Sequence, residues 1–470
     1  MKIRLTHESS KRKQAAVFKL RNAAHAGSRT LLALTGAILG LLVLPQTVVA
    51  QAEHPNFVII MADDLGYGDL SCYGNTAFET PHLDALAKRG MRFTDFHSSG
   101  AVCSPTRAGL LTGRYQQRAG IPGVVFADPK RVEHKHGLQP IENTFAEILS
   151  GGGYSTAMFG KWHLGYEKKY NPVKNGFGEF RGYVSGNVDY FSHIDQAGVF
   201  DWWINDELKD EPGYSTHLIT QHSVRFIEES GEKPFCLYVA HEAPHYPYQG
   251  PNDKAIRRID GERKSETKGI DIKKAYREMV QAVDTGVGEI VAALEKKGID
   301  NNTLVVFFSD NGATKHGSNG IYRGHKASVW EGGHRVPCIA VWPGKIAAAS
   351  ETVQACISLD IMPTLLDYAS LEAPRDRPLD GKSLRATLAG VAPERRTLYW
   401  QHGTGTAVRR GEWKLVKLGR KPAELYNLET DPGEKQDLAS ENPKRQRGML
   451  EMLLKWKLEM IRTATKQPTQ

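Results

Sequence analysis

Phe57-Val58-Ile59-Ile60-Met61-Ala62, followed at once by Asp63-Asp64-Leu65-Gly66, is the stretch that decides the fold. Its apolar run is continuous and of strand length, without the alternation of a strand that wets one face, so it reads as a strand covered on both sides. The same pattern returns at 154–159, 235–240 and 304–308. Helical periodicity lies between. Thr80-Pro81 opens a short helix through Leu83, Leu86 and Ala87 that Gly90 stops, and Tyr276, Met279, Val283, Val287, Ile290 and Leu294 share one face of a long helix ending at Lys296-Lys297-Gly298. This alternation predicts an α/β fold with a large, mainly parallel mixed sheet sandwiched by helices.

The chain has 470 residues, enough for one large α/β unit and a smaller attachment. Near Ala369 the pattern changes. Pro374, Pro378 and Pro393 punctuate a connector, strand-like pieces follow at 397–401, 407–410 and 414–418, and a helix is expected after Pro443. The expected organisation is therefore a segment 1–50, a catalytic domain 51–370 and a subdomain 371–470 made of a small antiparallel sheet and a closing helix. The charge-rich stretch 254–274 reads as a solvated excursion or a lid.

The net charge of +8 is misleading, because residues 1–50 hold eight Lys and Arg against Glu8 alone, +7 of the total. The rest carries about +1, which predicts no nucleic-acid partner. In that first segment a basic stretch precedes an apolar run from Leu31 to Leu44 and then Val48-Val49-Ala50, an export signal that implies a periplasmic or secreted protein. The run is about 14 residues, short of the roughly 20 of a membrane span, so no stable span is expected after cleavage; an uncleaved anchor or a misplaced start codon are the alternatives. Five cysteines, Cys72, Cys103, Cys236, Cys338 and Cys356, are too few for a disulfide scaffold.

Reactive side chains follow each of the four strands: Asp63-Asp64, Lys161 and His163, His241, and Asp310-Asn311. Open α/β sheets bind ligands at that edge, so these groups are expected to converge. Asp63, Asp64, Asp310 and Asn311 offer oxygen ligands in two pairs and suit a hard divalent cation, Ca²⁺ or the more tightly coordinated Mg²⁺. Taken singly, each pair is also an ordinary turn.

Cys103-Ser104-Pro105-Thr106-Arg107, continued by Ala108-Gly109-Leu110-Leu111-Thr112-Gly113-Arg114, adds the decisive chemistry. Ser104 is expected to cap a helix with Pro105 in its first position, which sets Cys103 beside a helix N-terminus that favours anions. This run resembles the modification signature of type I sulfatases, in which the cysteine is oxidised to formylglycine. Asn56 to Gly68, Gly160 to Gly165, His241 to Pro247, Ser309 to Gly312 and Gly324 to Pro337 follow in that family's order, and Arg409 to Leu415 and Glu424 to Leu428 resemble its C-terminal sequences. The resemblance is to formylglycine-dependent sulfatases of the alkaline-phosphatase superfamily, in particular secreted bacterial arylsulfatases and N-acetylgalactosamine-6-sulfatase-like enzymes.

The resemblance implies an alkaline-phosphatase-like fold and hydrolysis of sulfate esters, on a galactose- or N-acetylgalactosamine-containing glycan. It implies that Asp63, Asp64, Asp310, Asn311 and formylglycine from Cys103 hold the metal and that Arg107 stabilises the formylglycine hydrate. Lys161 and Lys326 would grip sulfate, His241 and Lys326 would protonate the departing oxygen, and His163 would take a proton as sulfate is released. A formylglycine-generating or sulfatase-maturating enzyme is the implied partner. Ser185 or Asn187 is expected to add a polar sulfate contact; His325 and His334 are candidates to face the substrate, and Tyr190, His193, Trp202 and Trp203 to form a sugar-stacking wall. Alternatives are a phosphomonoester, phosphodiester or phosphonate hydrolase of the same superfamily, and a sulfated-glycan-binding protein with an unmodified cysteine.

Overall fold

A computed structural model describes residues 54–259, 269–392 and 394–468. The segment 1–50, expected to be an export signal, part of the expected excursion 254–274 and Pro393 lie outside the described residues. In chain order the strands are β1 (Asn56–Ala62), β2 (Met91–Phe93), β3 (Phe96–His97), β4 (Ser155–Lys161), β5 (Glu179–Tyr183), β6 (Trp203–Ile204), β7 (Glu207–Leu208) and β8 (Phe235–Ala240). There follow β9 (Thr303–Ser309), β10 (Cys338–Val341), β11 (Ser350–Thr352), β12 (Cys356–Ile357), β13 (Thr397–His402), β14 (Gly405–Arg410), β15 (Trp413–Leu418) and β16 (Ala423–Asn427).

Ten of these strands form one sheet in the order β11-β2-β10-β9-β1-β8-β4-β5-β6-β7. Its centre is parallel, β10 and β6 run antiparallel to it, and β7 at the edge pairs antiparallel with β6. The apolar run of β1 serves two cores at once. Phe57, Ile59 and Met61 pack with the helices Cys103–Thr112, Phe145–Gly151 and Ile361–Tyr368, whereas Val58, Ile60 and Ala62 pack with Pro81–Arg89, Ser215–Glu229 and Ile272–Lys297. A side chain buried in this way contributes about 1.5–3 kcal/mol, which is why a polar residue on either face would be excluded here.

Register decides where the chemistry falls. Met61 pairs with Ala240 and Phe308, Ala62 with Ser309, and Gly160 with Ala240, so β1, β4, β8 and β9 end at one level. The residues after these ends therefore share one edge of the sheet.

β13 to β16 form a separate antiparallel sheet in sequence order. The helix Pro443–Thr463 lays Met449, Leu453, Trp456 and Met460 against it. The expected strands are thus present, and β16 adds a fourth.

The two sheets are joined by buried charges. Arg409 of β14 forks onto Asp95 at 2.7 and 2.6 Å, and Lys414 of β15 lies 2.9 Å from both Glu331 and Glu434. Nδ1 of His97 lies 3.0 Å from Nδ1 of His334, whose ring stacks on Trp400. His334 thus belongs to this clasp and not to a substrate surface. Burial holds His97 below its usual range, and burial together with Lys414 holds His334 well below it. Burial opposes ionisation of Asp95, yet Arg335 and Arg409 outweigh it and hold that carboxyl well below its ordinary value.

Depressed values on bases and acids act in the same direction when pH falls. Below about 6.5 the unfolded chain takes up protons that His97 and His334 refuse, so stability is expected to drop by up to about 1.4 kcal/mol per pH unit for each. Below about 4 the unfolded carboxylates protonate while Asp95 stays ionised, and the loss continues. Melting temperature followed from about pH 8 to 4 checks this; a flat profile between about 7 and 5 would refute the histidine part.

Candidate active site

Cys103 is the first residue of the helix Cys103–Thr112, capped by the extended backbone of Val102. The expected Ser104 cap is therefore corrected: Ser104 lies inside the first turn, and its hydroxyl accepts from the Val125 amide at 3.1 Å. The helix ends at Gly113, whose φ of 62° suits glycine, with its N–H bonded to Gly109. Cys103 thus stands at the positive end of a fully buried helix.

Below it, the Arg107 guanidinium bridges the ends of three strands. Nη2 donates to Asp63 at 3.0 Å and to Asp310 at 3.2 Å, and Nη1 donates to the Lys161 carbonyl at 2.6 Å. The Lys161 ammonium also pairs with Asp63. Asp64, in the left-handed region at φ 63°, donates its N–H to Asp310 and accepts from Asn311 Nδ2 at 2.7 Å. Lys326 reaches both Asp64 oxygens, at 2.7 and 2.9 Å.

All of these groups but the half-buried Lys326 are buried, and their charges interlock. Burial disfavours ionisation of Asp63, but Lys161, His245 and Arg107 outweigh it and keep that carboxylate ionised. Burial and the charge of Asp63 push Asp310 up to about 7. Burial also raises the Cys103 thiol, with Lys161 and Lys326 acting against it. An unaltered Cys103 is consequently a protonated thiol and a poor nucleophile.

Asp63 Oδ1 and Asn311 Oδ1 are buried without a hydrogen-bond partner among the described residues. Such orphaned acceptors are costly unless a ligand meets them. An all-oxygen set with orphaned acceptors fits a hard divalent cation.

The two histidines differ. His163, at φ 57°, donates Nε2–H to the Val125 carbonyl at 2.8 Å, which leaves Nδ1 as an acceptor. Burial, then Lys161 and Arg107, hold the ring well below its usual range and therefore neutral. Gly186 gives the ring its room, since a Cβ there would lie 2.8 Å from Nε2. A cavity of about 170 Å³ is lined by Cys103, His163, Asn187, His245 and Lys326, among others.

Residues 55–371 match the family model described as Sulfatase, and residues 317–464 match N-sulphoglucosamine sulphohydrolase, C-terminal. The chain belongs to the sulfatase family. It is a sulfuric ester hydrolase. This sulfatase is 34% identical to rat N-acetylgalactosamine-6-sulfatase, over 77% of this chain and 71% of that protein. Human arylsulfatase A is 32% identical, over 86% of this chain and 87% of that protein. The solved structure of Ps i-CgsB in complex with k-i-k-neocarrahexaose superposes with a TM-score of 0.79 at 30% identity, covering 88% of this chain and 95% of that one.

The sulfatase's site differs from expectation at His241. The His241 N–H continues the β8 ladder by donating to the Met61 carbonyl, so its ring falls on the face of Leu237 and Val239. Burial and the nearby charge of His217 lower it to about 3, and it does not line the cavity. His245 takes its place, with Nε2 3.7 Å from Asp64 and Nδ1 donating to the Tyr246 carbonyl. The period-2 count from Leu237 and Val239 to His241 was the sequence signal that could have found this.

Of Ser185 and Asn187, Asn187 lines the cavity, and Ser185 donates to the Asn187 carbonyl at 3.1 Å. Tyr190, His193 and Trp202 are buried, and Trp203 is half-buried with Nε1 bonded to Asp201, so they form no stacking wall. His325 is exposed, with Nδ1 3.4 Å from Asn319. Asp69 went unrecognised in the sequence. It accepts from Gly66, Ser318 and Tyr276, tying the loop after β1 to the loop after β9.

Proposed function

We propose that this sulfatase removes sulfate from a sulfated glycan, a galactose- or N-acetylgalactosamine-containing one, with formylglycine made from Cys103 by a maturation enzyme in an exported protein. The observation that carries this reading is that Cys103, Lys326, His163 and His245 line one small cavity above the buried carboxylates. Similarity to an N-acetylgalactosamine-6-sulfatase and to a structure bound to a neocarrahexaose supports the glycan.

Asp63, Asp64, Asp310 and Asn311 would hold Ca²⁺ or Mg²⁺, with the residue at position 103. When bound, the cation polarises sulfate oxygens and formylglycine supplies the attacking hydroxyl. Lys326, Lys161 and the start of the helix Cys103–Thr112 provide fixed positive charge for the sulfate anion, preorganised so that little rearrangement accompanies reaction. Arg107 keeps Asp63 and Asp310 in place. Lys326, protonated and lining the cavity beside Asp64, is the group placed to pass a proton to the departing sugar oxygen. Burial lowers His245 to about 4 and its Nδ1–H is given to Tyr246, so its Nε2 carries no proton and it serves, in place of His241, as a polar neighbour of Asp64. His163, neutral and with Nδ1 open, accepts the proton that accompanies sulfate release.

The matured protein is expected to release sulfate from aryl sulfate and from a panel of sulfated galactans and galactosaminoglycans. Exhaustive chelation is expected to lower this turnover at least about 100-fold, with recovery on Ca²⁺ or Mg²⁺ addition. Greater release of phosphate than of sulfate at matched concentrations would replace the reading with phosphate-ester hydrolysis.

A further inference from the structure

A second cavity, of about 550 Å³, adjoins the first, and Val124 and Val125 line both. Its size falls within the range of about 300–1,000 Å³ common for ligand sites. The walls come from four parts of the chain: the segment from Gln117 to Val125, Glu133 and His136, the end of β13 and the following turn at Gln401 and Gly403, and the residues after the closing helix at Ala464, Thr465 and Gln467.

The last of these walls is built in. Thr465 N–H donates to the Arg118 carbonyl at 2.8 Å, and Gln467 Nε2 donates to the carbonyls of Gly120 and Gly137 at 2.9 and 3.0 Å. Gly120, at φ 82°, lets the two segments touch, because a Cβ there would lie 2.6 Å from the Thr465 oxygen.

Gln117 points to a ligand. It is 8% exposed, lines the cavity, and neither its Oε1 nor its Nε2 has a hydrogen-bond partner among the described residues. A buried amide in that state can donate and accept at once, which matches a sugar hydroxyl. Charge narrows the choice further. The lining contains no Lys or Arg, and its two titratable side chains are Glu133 and His136, so a sulfate group would find no permanent cation there and would meet a carboxylate.

We propose that this second cavity binds the sugar residue adjoining the sulfated one, that this neighbour is unsulfated, and that Gln117 reads its hydroxyls. The proposal rests on the sulfated-glycan reading and makes the substrate an oligosaccharide in which sulfated and unsulfated residues lie side by side. Gln401, near the end of β13, gives the C-terminal subdomain a part in choosing it.

The test compares kcat/KM for sulfate release by the matured enzyme from aryl sulfate, a sulfated monosaccharide, and oligosaccharides whose neighbouring residue is either unsulfated or sulfated. The unsulfated-neighbour oligosaccharide is expected to exceed the monosaccharide by at least about tenfold. Gln117→Leu, of similar volume, is expected to lower that oligosaccharide value by about tenfold, with aryl sulfate turnover within about twofold of wild type. Gln401→Ala, at a partly exposed position near the end of β13, is expected to act in the same direction and guards against misfolding of the first variant.

Equal rates for monosaccharide and oligosaccharide, a preference for the sulfated neighbour, or an equal loss on aryl sulfate and oligosaccharide in Gln117→Leu would each overturn the proposal. Wild-type turnover of aryl sulfate tests the sulfatase reading by itself, so the two failures are distinguishable.

Discussion

Cys103→Ala is expected to lower sulfate release by at least about 10⁴-fold while the melting temperature stays within a few degrees of wild type. The size of the loss follows from the site. Burial raises the Cys103 thiol, and the other side chains around the cavity are suited to binding and proton transfer, so removal of position 103 leaves no nucleophile in place. The small structural cost follows equally. Cys103 opens its helix, and alanine keeps that backbone while deleting a sulfur that holds no disulfide. Mass spectrometry of the peptide spanning Cys103, paired with sulfate release from the same preparation, checks both halves. Turnover tracking the formylglycine fraction supports the proposed chemistry; full turnover in Cys103→Ala, or in protein carrying only the thiol, would sink it.

Much of this site was legible because strand ends are legible. Uninterrupted apolar runs marked β1, β4, β8 and β9, and a parallel register brings the residues after them to one edge whatever the loops do. Asp63, Asp64, Lys161, Asp310 and Asn311 needed no more than that. Loop residues needed more. His241 and His245 lie four residues apart, and only the pleat of β8, carried one residue past its end, turns the first away and leaves the second to the cavity. The cap at Cys103 was misread for a related reason. Ser104 looks like a cap by type, but Val102 holds the extended conformation and the Ser104 hydroxyl is engaged by Val125, a residue 21 positions away.

Aromatic residues show the same limit from the opposite side. Trp202 and Tyr190 are candidates for a sugar platform by residue type although core packing is the commoner fate of such side chains, and their burial follows from long-range packing that no local pattern encodes. The clasp between the two sheets was invisible for that reason too. Asp95 and Arg409 are 314 residues apart, and only the finished fold brings them within hydrogen-bond reach.

That clasp carries the largest expected effect on stability. Lys414 is fully buried and lies 2.9 Å from Glu331 and from Glu434, with His334 Nε2 at 3.2 Å. Lys414→Met keeps most of the side-chain volume but removes the charge shared by two buried carboxylates. Glu331 stays ionised because Lys414, with His97 and Arg409, outweighs its burial; without the ammonium one carboxylate must be buried unpaired or take up a proton. Breaking a buried pair in this way costs about 3–5 kcal/mol, and the loss is expected chiefly where β14 and β15 meet the catalytic sheet. Denaturant unfolding measures it. The pair change Lys414→Met with Glu434→Gln removes one charge of each sign and is expected to recover part of the loss, because Glu331 keeps Arg335 at 3.2 Å and Arg409 at 3.5 Å. A single variant within about 1 kcal/mol of wild type would show that solvent reaches these carboxylates, and that packing of Trp400, Trp456 and their neighbours holds the two sheets together without the charges.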